Sequence, residues 1–247
     1  MNEIIFLSLL LFVFGATVTA FRWGGFVGLF CLIACEAVLL NIFVVKQFEL
    51  FGWSVTGGNI LFGGIFLATD LLNEQYGPRL ARLGVFIGLA AGCFMLVTTQ
   101  LTTLFLPNAL DTTQPAFETI FGFAPRLVGA SLLSFLLAQL LDVWLFNFFR
   151  QVTQGRRLWL RNNFSTIISQ TFDTLFFTAV GLLALPIFAE TWLAGFLPAA
   201  VFWEVVGFTL AVKVGVALLD TPVLYLTKLQ FFTPQDLKIP GQGKRNF

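Results

Sequence analysis

Seven apolar runs, at about residues 4–21, 24–45, 54–74, 83–106, 126–149, 164–188 and 200–227, are each near or above the ~20 residues that a helix needs to cross the hydrocarbon core of a bilayer. A soluble chain of 247 residues could not hide them, since 57% of its residues are apolar and only 11% are charged. The pattern predicts an all-α polytopic membrane protein of about seven transmembrane helices. One transmembrane domain would occupy residues 1–232, followed by a polar tail over 233–247. The first run is preceded by Asn2 and Glu3 rather than by basic residues, and no small-x-small site closes it before Arg22. It therefore reads as a retained helix and not as a cleaved signal.

Basic residues set the expected orientation. Arg22, Arg79, Arg82, Arg150, Arg156, Arg157, Arg161, Lys228, Lys238, Lys244 and Arg245 all fall after odd-numbered runs, whereas Lys46 and Arg126 alone fall after even-numbered ones. The positive-inside rule then places the N-terminus outside and the C-terminus in the cytoplasm. The one long connection, 107–125, carries Phe117, Ile120, Phe121 and Phe123 and is expected to hold a short interfacial helix.

Several function classes fall away. Histidine is absent, which removes His-bearing zinc motifs, the Ser-His triad and His proton relays. Cys31, Cys35 and Cys93 lie inside apolar runs and are odd in number, so they read as packing residues. No phosphate-binding glycine loop or dinucleotide fingerprint occurs, and no basic tract interleaved with aromatics suggests nucleic acid. The sequence calls for neither cofactor nor metal.

What needs explaining is polarity inside the apolar runs. In 164–188, Ser165, Ser169 and Asp173 are four apart, and Thr166, Gln170 and Thr174 form the adjoining row. On a helix this is a polar stripe about three turns long, and it cannot face lipid. Lys213, also mid-run, is a charge partner for Asp173, so an ion pair of purely structural role is one reading. Gln139 and Asp142 share a face of the fifth run, Glu36 and Asn41 stand in the second, and Gly57-Gly58-Asn59 and Gly63-Gly64 in the third. The glycine pairs would allow close helix approach or a local break. Asp70 and Glu74 lie four apart at the end of the third run, with Asn73 beside them. Polar groups from several runs point to one shared cavity. Its carboxylates, amides and aromatic rings suit a small, flat ligand rich in hydrogen-bond donors, and fit an ion or a cationic metabolite nearly as well. Pro222, after Asp220-Thr221, is a candidate hinge.

The stretch Thr69-Asp70-Leu71-Leu72-Asn73-Glu74-Gln75-Tyr76-Gly77 resembles the TDLxxExYG signature of the queuosine precursor transporters, also called vitamin uptake transporters. The resemblance continues through Gln139, Asp142-Val143, Arg156-Arg157, Arg161, the Ser165 to Thr174 run, Lys213 and Thr221-Pro222, over roughly residues 35–230. It implies an inner-membrane importer of 7-deazaguanines (preQ0, preQ1 or queuine) used to make queuosine in transfer RNA. The family core has about six helices, so the first run is an addition, and Gly63-Gly64 stands where a proline is usual.

The expectation is secondary or facilitated transport by alternating access, with Asn41, Asp70, Glu74, Gln139, Asp142, Gln170 and Asp173 around the ligand and Lys213 as charge partner. Asp173 or Asp70 is the expected carrier of any coupling proton. The middle runs of 24–106 and 126–227 each carry an aspartate, which is compatible with inverted three-helix repeats. Small-residue faces on the third and fourth runs are compatible with a homodimer. Rival readings are a substrate-capture subunit of an ATP-driven complex, an intramembrane enzyme built on Asp70 and Asp173, and a membrane scaffold.

Overall fold

A computed structural model describes residues 1–122, 125–183 and 198–228. The polar tail over 233–247, the end of the sixth run and Phe123 lie outside the described residues. The chain is a helical membrane bundle, ordered α1 (Asn2–Phe43), a hairpin of β1 (Gln47–Leu50) and β2 (Trp53–Thr56), α2 (Gly58–Tyr76), α3 (Pro78–Thr103), α4 (Gln114–Phe121), α5 (Pro125–Val152), α6 (Leu158–Phe177) and α7 (Phe202–Leu226). Four of these helices, α1, α3, α5 and α7, are long and apolar enough to cross a membrane.

α1 holds the first two apolar runs. A straight helix of its 42 residues would be about 63 Å long. Yet the Asn2 amide donates to Glu49 O at 2.9 Å, just beyond the other end of the helix. The chain turns back at Gly25, whose φ of 54° and ψ of −135° are open to glycine and disfavoured for any residue with a Cβ. The first and second arms therefore lie side by side, with Val13 and Glu36 both meeting Gly64 of α2.

The hairpin departs from the expected helix start at residue 54. β1 and β2 pair antiparallel about Phe51-Gly52, both at positive φ (52° and 82°), the geometry of a type I′ turn. Phe51 N donates to Glu3, so the hairpin ties down the N-terminus. The short helix expected in the long connection exists as α4, which is joined to α3 by the Gln100 amide at Phe121 O.

α2 is the centre of the bundle. Every residue from Gly58 to Asn73 is buried, on all faces of the helix, so its neighbours must come close. Gly63 and Gly64 provide that approach and cause no break in the helix. A Cβ at Gly64 would stand 2.5 Å from both Glu36 Oε1 and Val13 Cγ1. Gly64→Ala is accordingly expected to destabilise the fold by about 1–3 kcal/mol through overpacking, whereas Gly15→Ala, with nothing within 4 Å of the new methyl, should be close to neutral. Thermal unfolding of both variants in detergent checks this; equal midpoints would refute it. Gly84 and Gly88 of α3 likewise pack inside the chain, against Ile33, Leu72 and Phe135. The small-residue faces that suggested a second copy are used within one chain.

One end of the bundle collects positive charge. Phe21 and Phe26, flanking the Gly25 turn, contact the Tyr76 ring at the end of α2. Glu74 there meets Arg161 at the start of α6 and Lys228 beyond α7. Arg22, Arg79 and Arg82 thus share an end with Arg161 and Lys228.

Candidate functional site

α6 has the expected polar stripe. Asn162, Asn163, Ser165, Thr166, Ser169, Gln170, Asp173 and Thr174 are all buried, at helical spacing. Partners come from α2, α5 and α7, and they form a seam running with α6 from Arg161 to Asp173, about 18 Å at 1.5 Å per residue.

At the charged end, Arg161 Nη2 meets both carboxylate oxygens of Glu74 at 2.5 Å, and its Nη1 donates to Gly155 O at 2.8 Å. Lys228 Nζ reaches Glu74 at 2.8 Å. Arg161, counted as a loop charge in the sequence, is 1% exposed, and its guanidinium carbon lies 5.4 Å from the centre of the Phe146 ring. Glu74 is thus engaged by two cations.

Next along α6, the Asn162 amide donates to Asp220 Oδ1 (2.8 Å) and the Thr221 hydroxyl, and Asn163 donates to the same hydroxyl. Asp70 Oδ2 accepts from Thr166 at 3.3 Å, and Asp142 Oδ1 accepts from Ser169 at 3.0 Å. The Asp70 and Asp142 carboxyls are themselves within interaction range, with Asp220 close behind. Gln139 Oε1 accepts from Thr69 at 3.1 Å. At the far end of the seam, Lys213 Nζ lies 2.5 Å from Asp173 Oδ2 and 4.4 Å from the centre of the Phe62 ring, while Ser134 donates to Asp173 Oδ1 at 2.6 Å. The expected Asp173–Lys213 pair is present. A π-helical turn over Thr178–Leu182 follows directly, a device that often re-aims side chains beside functional sites.

The structure therefore brings Asp70, Gln139, Asp142, Gln170, Asp173 and Lys213 to one seam, with Glu74 at its end. It does not bring Asn41, whose amide donates to Ala37 O in its own helix and faces Gly92 of α3. Sequence reading missed Ser134 and Thr69 as participants and took Asp220 only as the prelude to a proline.

Buried polar atoms are normally paired, with only a few exceptions per hundred residues. Here the seam alone leaves Asp70 Oδ1, Asp142 Oδ2, Asp220 Oδ2, Asn162 Oδ1, Asn163 Oδ1, Gln170 Oε1, Gln139 Nε2, Thr174 Oγ1 and Arg161 Nε without a partner among the described residues. Six of the nine are carboxyl or amide oxygens. Such a set is complementary to a ligand that mainly donates hydrogen bonds. The seam is closed to solvent in this conformation. An apolar hollow of about 380 Å³ lies elsewhere, between α1, the hairpin and α7, lined in part by Phe6, Leu50 and Val212.

Residues 56–227 match the family described as "Putative vitamin uptake transporter". A "Probable queuosine precursor transporter" of Bacillus subtilis (strain 168) is 41% identical over 209 residues, covering 84% of this chain and 86% of the relative. A "Queuosine precursor transporter" of Escherichia coli (strain K12) is 32% identical over 155 residues, covering 62% and 67%. A third relative, from Haemophilus influenzae and described in the same words as the first, is 28% identical over 190 residues. No solved structure matches.

Proposed function

This chain belongs to the vitamin uptake transporter family, and we propose that it imports 7-deazaguanine precursors of queuosine across the inner membrane by alternating access. The observation that carries the reading is the row of unpartnered buried acceptors beside a single free amide donor. A guanine-type base offers N1–H, an exocyclic NH₂ and a pyrrole N–H as donors, with one carbonyl that an amide can serve. Asp70 or Asp142 takes the N1–H and NH₂ edge in a two-bond fork, Gln139 Nε2 donates to the carbonyl, and Gln170 accepts from the pyrrole side. Asp173 and Lys213 hold the far end of the site, and Glu74 anchors the near end.

In this reading residues 1–232 form one unit with seven crossings, two from α1 and one each from α2, α3, α5, α6 and α7. The first arm of α1 is the addition to a six-helix core. The N-terminus is outside, and the end that gathers Arg22, Arg79, Arg82, Arg161 and Lys228 faces the cytoplasm, as the positive-inside rule favours. Inverted repeats would pair α2 with α6, each of which carries a buried aspartate, Asp70 and Asp173.

The test is uptake by a bacterial strain unable to make preQ0, expressing this chain and supplied with preQ0, preQ1 or queuine at nanomolar concentration, with queuosine in transfer RNA as readout. Restoration is expected, and the preferred compound identifies the substrate. Failure with all three, at confirmed membrane abundance, overturns the reading. Restoration only in the presence of a partner ATPase would reassign the chain as the capture subunit of an ATP-driven complex.

A further inference from the structure

Lys213 and Arg161, the cations buried along the seam, are each matched to a carboxylate, Asp173 and Glu74. One buried carboxyl of the described chain lies outside the seam altogether. Glu36 is 3% exposed, and neither of its oxygens has a partner among the described residues. It lies eleven residues past the Gly25 turn, about 16 Å along the second arm of α1 and so near the middle of a bilayer. It is pressed against Gly64 of α2, beside Val13.

No charged group of the described chain interacts with it. The first arm of α1 carries Glu3 and Arg22 near its two ends, and α3 carries Arg79 and Arg82 at its start. On α2 the ionisable groups are Asp70, which interacts with Asp142 and Asp220, and Glu74, which is held by Arg161 and Lys228. A lone carboxylate in this contact would be uncompensated, whereas the neutral acid loses far less on leaving water.

We propose that Glu36 carries the proton that drives uptake. It binds a proton from the outer side, the closed contact between α1 and α2 admits only the neutral acid, and the proton leaves to the cytoplasmic side when that contact opens. One O–H bond forms and breaks per cycle. One proton enters per molecule carried, so an uncharged precursor enters with one net positive charge.

Chemistry favours this location over the seam. If the donors of the ligand occupy Asp70 and Asp142, a proton there competes with the ligand, and linkage turns competition into exchange rather than co-import. Asp173 is already held by Lys213 and Ser134. A proton on Glu36 does not obstruct the seam. It acts on α2, the helix that carries Asp70, through the Gly64 contact.

The inference rests on the transport reading above, so the experiment separates the two. Purified wild-type, Glu36→Gln and Glu36→Asp proteins are reconstituted in liposomes, and tritium-labelled preQ0 is followed in two modes. These are counterflow against internal unlabelled preQ0 with no gradient, and net uptake with the outside one pH unit more acidic. The wild type should show both, with accumulation up to about tenfold, the ceiling set by one proton per molecule in a one-unit gradient. Glu36→Gln should keep counterflow and lose gradient-driven accumulation, and Glu36→Asp should keep driven accumulation with a displaced pH profile. Gradient-driven accumulation by Glu36→Gln at the wild-type level, or wild-type uptake indifferent to the gradient, overturns the proposal. Absence of wild-type counterflow with preQ0, preQ1 and queuine alike overturns the transport reading itself.

Discussion

Asp142→Asn is expected to lower uptake at nanomolar substrate by about 100-fold or more without unfolding the protein. Asp142 is fully buried between α5 and α6, with Oδ1 held by Ser169 and Oδ2 unpartnered, and it faces Asp70. Asparagine has the same shape, so the pocket keeps its volume. Its NH₂ can donate to Asp70, which keeps a hydrogen bond between the two side chains and should leave the melting temperature close to that of the wild type. What is lost is the carboxylate that takes two donors at once. Each charge-assisted hydrogen bond is worth about 1.5–3 kcal/mol, so loss of two sets the scale at or above a factor of 100. Substrate-concentration dependence in reconstituted vesicles, read beside thermal unfolding, is the measurement. Wild-type affinity in both Asp142→Asn and Asp70→Asn would remove the ligand from the seam, whatever the fate of uptake.

That expectation depends on a site only partly legible in the chain. The stripe of α6 could be read from its spacing because helical periodicity alone puts Ser165, Ser169 and Asp173 on one face, and apolar surroundings force such a face inward. Lys213 followed because a buried carboxylate demands a counter-charge, and few lysines stand in the middle of an apolar run. Arg161 was misread for the opposite reason. A basic residue at the edge of an apolar run looks like a loop charge, and nothing local shows that α6 begins at Leu158 or that Glu74, 87 positions away, will reach it. Asn41 lies apart from the seam, since an amide in a membrane helix can satisfy itself on its own backbone four residues back, as it does at Ala37. The hairpin escaped because its turn is Phe51-Gly52, with phenylalanine in a left-handed conformation where Asn or Asp would have signalled the turn. Tertiary contacts, here Asn2 with Glu49 and Glu3 with Phe51, hold it there.

Arg161 also supplies the largest expected effect on stability. Removing one partner of a buried ion pair costs about 3–5 kcal/mol because the other charge is stranded. The loss should be asymmetric here. Glu74→Ala leaves Arg161, 1% exposed, with Gly155 O as its acceptor and Lys228 nearby as a like charge. On the scale of about 2–4 °C per kcal/mol for a chain of this size, the melting temperature should fall by roughly 10 °C. Arg161→Met should cost less, because Glu74 keeps Lys228 at 2.8 Å and that lysine is 40% exposed, so the remaining pair stays partly hydrated. The double variant Glu74→Ala, Arg161→Met should lie above Glu74→Ala alone, since no guanidinium is left without a counter-ion and Lys228 can turn to water. Thermal unfolding of the three variants in detergent decides the matter. Additive losses, or a Glu74→Ala protein as stable as wild type, would mean that α2, α6 and α7 are held together by packing and that the ion pair contributes little.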